Sequence, residues 1–361
     1  MRKKWYFKNS VIVKNKILTY NWETLYLSPV FHYNCYFMKN TLLLLFFLLI
    51  EVTQMNAQDG IDAPGATEYE NGLASYKEKN YEDAIRWYTM GAEKGNAAAM
   101  FELGVQSFNG EGVTQNYIEA FNWYIKAANL GNEKAMFNLG VMYQNGYGVE
   151  QNYTEAMNWY QKAANHDLAS AYNNIGVLYR MGWGVGQDTA EGIKWYRKAA
   201  EKGNANAMNS LGTMYKDGTG VPQDFSEAIK WYNMAIALGE AEAMNNLGLM
   251  FAMGSGLERN FNKAYEWFYK AAVNEYAEAM YNLALLYVGG LEEKPNYTKA
   301  IKWYEMAANK GVPNAMYNLG VLYYNGQGVE KDENTAIKWI EKAAINGHAL
   351  AKEAMEEINS D

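Results

Sequence analysis

The sequence predicts an all-α fold, an α/α superhelical solenoid of helix-turn-helix repeats with a 36-residue period. Two series with a fixed step and one turn motif predict it. Tryptophan recurs at Trp87, Trp123, Trp159, Trp195, Trp231, Trp267, Trp303 and Trp339. Ala-Met, or a close variant, opens at Ala99, Ala135, Ala171, Ala207, Ala243, Ala279 and Ala315 with the same step. Between the two series Gly146-x-Gly148 returns as Gly110-x-Gly112, Gly182-x-Gly184, Gly218-x-Gly220, Gly254-x-Gly256 and Gly326-x-Gly328.

From the N-terminus, residues 1–37 mix aromatic, basic and asparagine residues without a period and read as an extension upstream of the native start, Met38. Met38-Lys39 is a short positive head. The apolar run Leu42 to Ile50 and the small residue Ala57 follow it, so 38–57 has the anatomy of a signal peptide cleaved near Ala57. The run is far shorter than the roughly 20 apolar residues that span a bilayer. No stable membrane insertion is expected after cleavage, and the mature chain is expected in the periplasm or outside the cell. Cys35 precedes the apolar run and so cannot be a lipoprotein's acylated cysteine. Residues 58–66 read as a linker.

Residues 67–98 form a capping helix pair that lacks the glycine insertion: Gly72 and Ala84 are closer together than Gly104 and Ala120. Seven full units then occupy 99–350. Within one, Met136, Leu139, Gly140 and Tyr143 fall at i, i+3, i+4 and i+7, one stripe of a first helix. Ala156, Trp159, Tyr160 and Ala163 mark a second helix, with small residues where neighbouring backbones approach. The glycines let the chain reverse between them. Asn116, Asn152, Asp188 and Asp224, each followed three residues later by glutamate, look like capped starts of second helices. Gly289-Gly290-Leu291-Glu292, with Pro295 beyond, predicts an altered turn in unit six. A C-terminal capping helix, 351–361 within an acidic stretch opening at Ala349, closes the array.

Composition removes several functions. One cysteine among 361 residues excludes a disulfide framework and a thiolate zinc cluster. His32, His166 and His348 are the only histidines and lie far apart in a repeat array, so no metal and no cofactor are expected. Beyond residue 57 there are 25 Lys/Arg against 38 Asp/Glu, a net of −13. That surface repels phosphate backbones, and no nucleic acid is expected as partner. The Gly-x-Gly loops lack the following Lys-Ser/Thr of a phosphate loop, and no nucleophile or zinc-protease motif occurs, so no catalytic residue is assigned.

Ala-Met-x-x-Leu-Gly-x-x-Tyr, Gly-x-Gly-Val and Ala-x-x-Trp-Tyr-x-x-Ala-Ala together resemble the Sel-one-like repeat family, relatives of tetratricopeptide repeats, over roughly 67–358. The resemblance implies a right-handed superhelix and a non-enzymatic adaptor or scaffold that binds a protein or peptide on its concave face. It also implies that first helices line that face. The flanking column reads Phe101, Phe137, Asn173, Asn209, Asn245, Tyr281 and Tyr317; its neighbour reads Glu102, Asn138, Asn174, Ser210, Asn246, Asn282 and Asn318. Asparagine amides offer donors and an acceptor to an extended backbone, or else bond between helices inside the array. Trp183, outside the repeat phase, either is exposed or packs across its turn. An exposed Trp183 with the abundant tyrosines supports the alternative, a carbohydrate-binding or polysaccharide-export accessory.

Overall fold

The computed structural model describes residues 63–359, apart from 290, 292 and 293. The predicted extension, the signal peptide and most of the linker, with Cys35 and His32, lie outside the described residues. Those described are all helical or turn, with seventeen helices and no strand among them. They gather into two compact units, 63–223 and 224–359.

The first unit holds α1 (Ala66–Lys77), α2 (Tyr81–Glu93), α3 (Ala97–Asn109), α4 (Tyr117–Asn129), α5 (Glu133–Asn145), α6 (Tyr153–Ala164), α7 (Ala169–Met181), α8 (Thr189–Glu201) and α9 (Ala205–Asp217). The second holds α10 (Phe225–Ala237), α11 (Ala241–Met253), α12 (Phe261–Val273), α13 (Ala277–Gly289), α14 (Tyr297–Asn309), α15 (Pro313–Asn325), α16 (Glu333–Ile345) and α17 (Ala349–Asn359). Within each unit consecutive helices pack as pairs, and each pair packs on the next. A single pair cannot bury its apolar face, so stacking supplies the core.

The predicted stripe is the buried one. In α5 and α6, Leu139, Ala156, Tyr160 and Ala163 are fully enclosed. Tyr160 fits against Gly140, where an added Cβ would meet the ring at 2.5 Å. The tryptophans stay half-buried instead, and Lys162 Nζ sits 3.6 Å from the Trp159 ring centroid.

Side chains stop and start these helices at the repeat period. Asn152 accepts from the Thr154 and Glu155 amides, and Asp188 and Asp224 cap α8 and α10 in the same way. First helices are capped too: Asn96, Asn132 and Asn204 accept from Ala99, Ala135 and Ala207. Gly146 ends α5 at φ 74°, its amide bonded to the Met142 carbonyl. Gly148, also at positive φ, has a second duty. An added Cβ there would lie 2.6 Å from the Tyr117 carbonyl carbon, so it lets the loop rest on the second helix of the preceding repeat.

The altered unit-six sequence keeps the loop closure of its neighbours. Asn296 N–H bonds Tyr287 O at 2.7 Å, as Asn260 bonds Phe251 and Asp332 bonds Tyr323. Asn296 still caps α14 through the Lys299 amide. No helix among the described residues is long and apolar enough to cross a membrane.

Candidate functional site

The two first-helix columns are mostly enclosed. Phe101, Asn209, Asn245, Tyr281 and Tyr317 are buried, as are Asn138, Asn282 and Asn318. Phe137, Asn173, Asn174, Asn246 and Trp183 remain half-buried and reachable. Rings in the first column pack on second-helix tyrosines: Phe101 on Tyr124, Phe137 on Tyr160 and Tyr281 on Tyr304, with centroids 5.5–5.8 Å apart. Trp183 stacks on Tyr153 across the turn at 5.1 Å.

The asparagine column answers buried hydroxyls. Six of the eight second helices put a tyrosine into the core, at Tyr88, Tyr124, Tyr160, Tyr196, Tyr232 and Tyr304, and a phenol hydroxyl taken from water needs a hydrogen bond. Asn138 hydrogen-bonds the Tyr124 hydroxyl, and Asn318 Nδ2 donates to the Tyr304 hydroxyl at 3.2 Å. Gln144 and Arg180 contact the hydroxyls of Tyr160 and Tyr196 from their own first helices. Where the second helix carries Phe268 there is no hydroxyl, and Asn282 instead donates to Asn245 at 2.8 Å.

Two places in the first unit depart from this pairing. Asn173 donates to Asn174, but its own Oδ1 has no partner among the described residues. At the front, Glu102 stands where later repeats have asparagine or serine, and Gln106 stands where they have Met142, Leu178 and Met214. Tyr88 is fully buried and its hydroxyl has no hydrogen-bond partner among the described residues; Gln106 is 1% exposed and neither amide atom has one. Burial pushes the Glu102 carboxyl up to about 7, with Lys134 partly offsetting it and Glu111 adding to it. The sequence reading passed over Tyr88 and Gln106. Gln106 was visible as a polar residue in a Met/Leu column; Tyr88 looked like every other second-helix tyrosine.

A shallow pocket of about 310 Å³ lies between α6, α7 and α8, lined by Gln161, Ala164, Asn165, Tyr172, Trp195 and Lys198. Tyr172, the one departure from methionine in its column of the first unit, stacks on Trp195 at 5.8 Å. Lys198 Nζ lies 4.1 Å from the Trp195 ring centroid, and the Trp195 indole N–H has no partner among the described residues. His348 packs flat on Tyr317 at 4.3 Å, and its Nδ1 accepts from the Ala351 amide at the start of α17. Burial holds this imidazole down to about 4. No group of three potential metal ligands occurs among the described residues.

The family model of the Sel1 repeat matches residues 65–96, 97–132, 133–168, 169–204, 205–240, 241–272, 277–312 and 313–348. Among solved structures, the chain is similar to a protective antigen of uropathogenic Escherichia coli strains that displays this repeat fold. Identity is 32% and the TM-score 0.58, over 84% of this chain and 67% of that one. It is also similar to a Sel1 repeat protein from Oxalobacter formigenes, at 36% identity and a TM-score of 0.62, over 68% of this chain and 99% of that one. No curated protein matches it. Sel1 repeat folds are generally protein–protein interaction scaffolds and generally not catalytic. These eight matches together span well over half of the chain, and the chain belongs to the Sel1 repeat family.

Proposed function

We propose that this protein is a non-catalytic scaffold, exported to the cell envelope or beyond, that binds an extended segment of a partner protein along its first-helix face. The observation that carries this reading is the accessible polar edge at Asn173 and Asn174. Two adjacent half-buried amides, Asn173 with an enclosed Oδ1 that has no partner among the described residues and Asn174 beside it, stand one repeat on from Phe137 and suit the backbone and an apolar side chain of a segment whose binding turns the Asn173 amide outward. Most other members of the columns serve the core, so recognition rests on the few that do not.

The test is capture from envelope extract on the immobilised protein, alongside an Asn173→Ala/Asn174→Ala variant. Asn209 and Asn245 are left intact because they are buried. Protein retained by the parent and lost from a folded variant supports the reading; equal retention by both removes this edge from it. Export is tested separately, by N-terminal sequencing of the protein from its native host. A mature chain starting before Met38 would refute the assigned start.

A carbohydrate is the second occupant considered, favoured by the pocket where Tyr172 stacks on Trp195. Glycan binding abolished by Trp195→Ala, with no protein captured, would replace the first reading with this one.

A further inference from the structure

The front of the 63–223 unit carries polar groups that its packing does not use. By repeat position, the Tyr88 hydroxyl should meet the next first helix two residues before its glycine, as Tyr124 meets Asn138. That residue is Glu102, whose charge acts on Tyr88, Tyr69 and Tyr76. No hydrogen bond joins Tyr88 to Glu102. One turn further along α3, on the same helix face, the Gln106 amide is enclosed with both its atoms unpartnered. Tyr76 at the rim donates to Glu111 at 2.8 Å, and the exposed Glu70 adds a further negative charge near Tyr69 and Tyr88. Glu102 keeps some contact with solvent, so the cluster is open at its carboxylate and closed at its floor.

A buried donor or acceptor left unmade is unfavourable, and this chain places asparagine and methionine at the matching positions of other repeats. Glu102, Gln106 and Tyr88 together therefore demand a partner that the fold does not supply. Glu102, with Glu111 adding negative charge and Lys134 only partly offsetting it, calls for a cation, and hydroxyl and amide oxygens around a carboxylate call for one that donates several hydrogen bonds.

We infer that this end of the array holds the ammonium of a lysine or the guanidinium of an arginine from a bound partner segment. Glu102 supplies the opposing charge, and the Gln106 amide oxygen and the Tyr88 hydroxyl oxygen accept N–H bonds. The Tyr69 and Tyr76 rings lie beside the cation. Lys134 competes from α5. The inference rests on the reading of the chain as a binder of protein segments, but its test does not. Small probes report on the site whether or not any protein is captured by the Asn173 edge.

The experiment titrates acetyl-lysine methylamide, acetyl-arginine methylamide and the neutral acetyl-norleucine methylamide into the protein, followed by ligand-observed NMR at pH 8 and pH 5.5. At least one cationic probe is expected to bind saturably at pH 8 and about tenfold or more weakly at pH 5.5, where Glu102 carries its proton. The tighter of the two identifies the side chain. Glu102→Gln and Gln106→Met, both neutral and the second a residue used at this repeat position, should fold and lose the binding. Absence of saturable binding by both cationic probes at pH 8 overturns the inference, as does binding that persists in Glu102→Gln or is matched by the norleucine probe.

Discussion

Replacing Glu102 with glutamine should stabilise the protein, and only above acidic pH. In the folded state burial lets the carboxyl hold its proton up to about 7, against an ordinary value of 4.5. An unfolded chain gives that proton up first, so folding becomes less favourable as pH rises from 4.5, and the full penalty is present above 7. A shift of that size corresponds to about 3 kcal/mol, and partial contact with solvent reduces it to about 2 kcal/mol. Glutamine keeps the shape and removes the charge. At pH 8 the variant should therefore melt on the order of 5 °C higher, and hydrogen exchange in α1 to α3 should slow most. At pH 4.5 the two proteins should melt together. A variant no more stable than its parent at pH 8, or equally stabilised at both pH values, would refute the account of a desolvated, unpaired carboxyl.

Further predictions concern the pairing of hydroxyls, the loop contact and the C-terminal helix. Asn138→Leu strands the Tyr124 hydroxyl and should cost about 1–3 kcal/mol, whereas adding Tyr124→Phe should recover much of it; urea unfolding of the three proteins gives the coupling, and strict additivity would remove the pairing. Gly148→Ala meets the Tyr117 backbone at 2.6 Å and should cost more than Gly131→Ala, which has positive φ but nothing within 4 Å, the difference being about 1 kcal/mol or more in thermal melts. His348 is held neutral in the fold down to about 4, so the unfolded chain takes up the proton first. Stability is whole above pH 6.5 and falls as pH drops toward 4, by up to about 3 kcal/mol. Exchange of the α17 amides should accelerate over that range, and His348→Asn, which can still cap, should flatten the dependence.

What the sequence made legible was whatever repeats locally. The Met136, Leu139, Gly140 stripe and the Ala156, Tyr160, Ala163 stripe fall on the buried faces of α5 and α6, because a 3.6-residue period reports burial within one helix. The second-helix caps at Asn152 and Asp188 were equally plain. The columns beside the stripe were not. For Asn138 and Asn318 the sequence leaves open a bound backbone or a bond inside the array, and they are enclosed because a tyrosine fourteen residues earlier, on another helix, brings a hydroxyl into the core. Neither residue is informative without the other. Gly148 likewise read as a reversal of the chain, while half of its role is a contact with the helix that begins at Tyr117.

The position of the Glu102 cluster follows from how a repeat array distributes stability. Each pair touches only its neighbours, so a polar group that fails to find a partner weakens its own interface and leaves distant ones intact. The pair α1–α2 rests mainly on α3, and Glu102 on that helix acts on Tyr69 and Tyr88 across the interface. A cation bound there would pair the carboxylate and stabilise the folded front pair by mass action, most strongly near neutral pH where the carboxyl otherwise penalises folding. The substitutions that should stabilise this end are thus the ones expected to abolish binding, and the opposite signs distinguish a site from a packing defect. A defect repaired by Glu102→Gln gains stability and loses nothing; a site gains the same stability and loses its ligand.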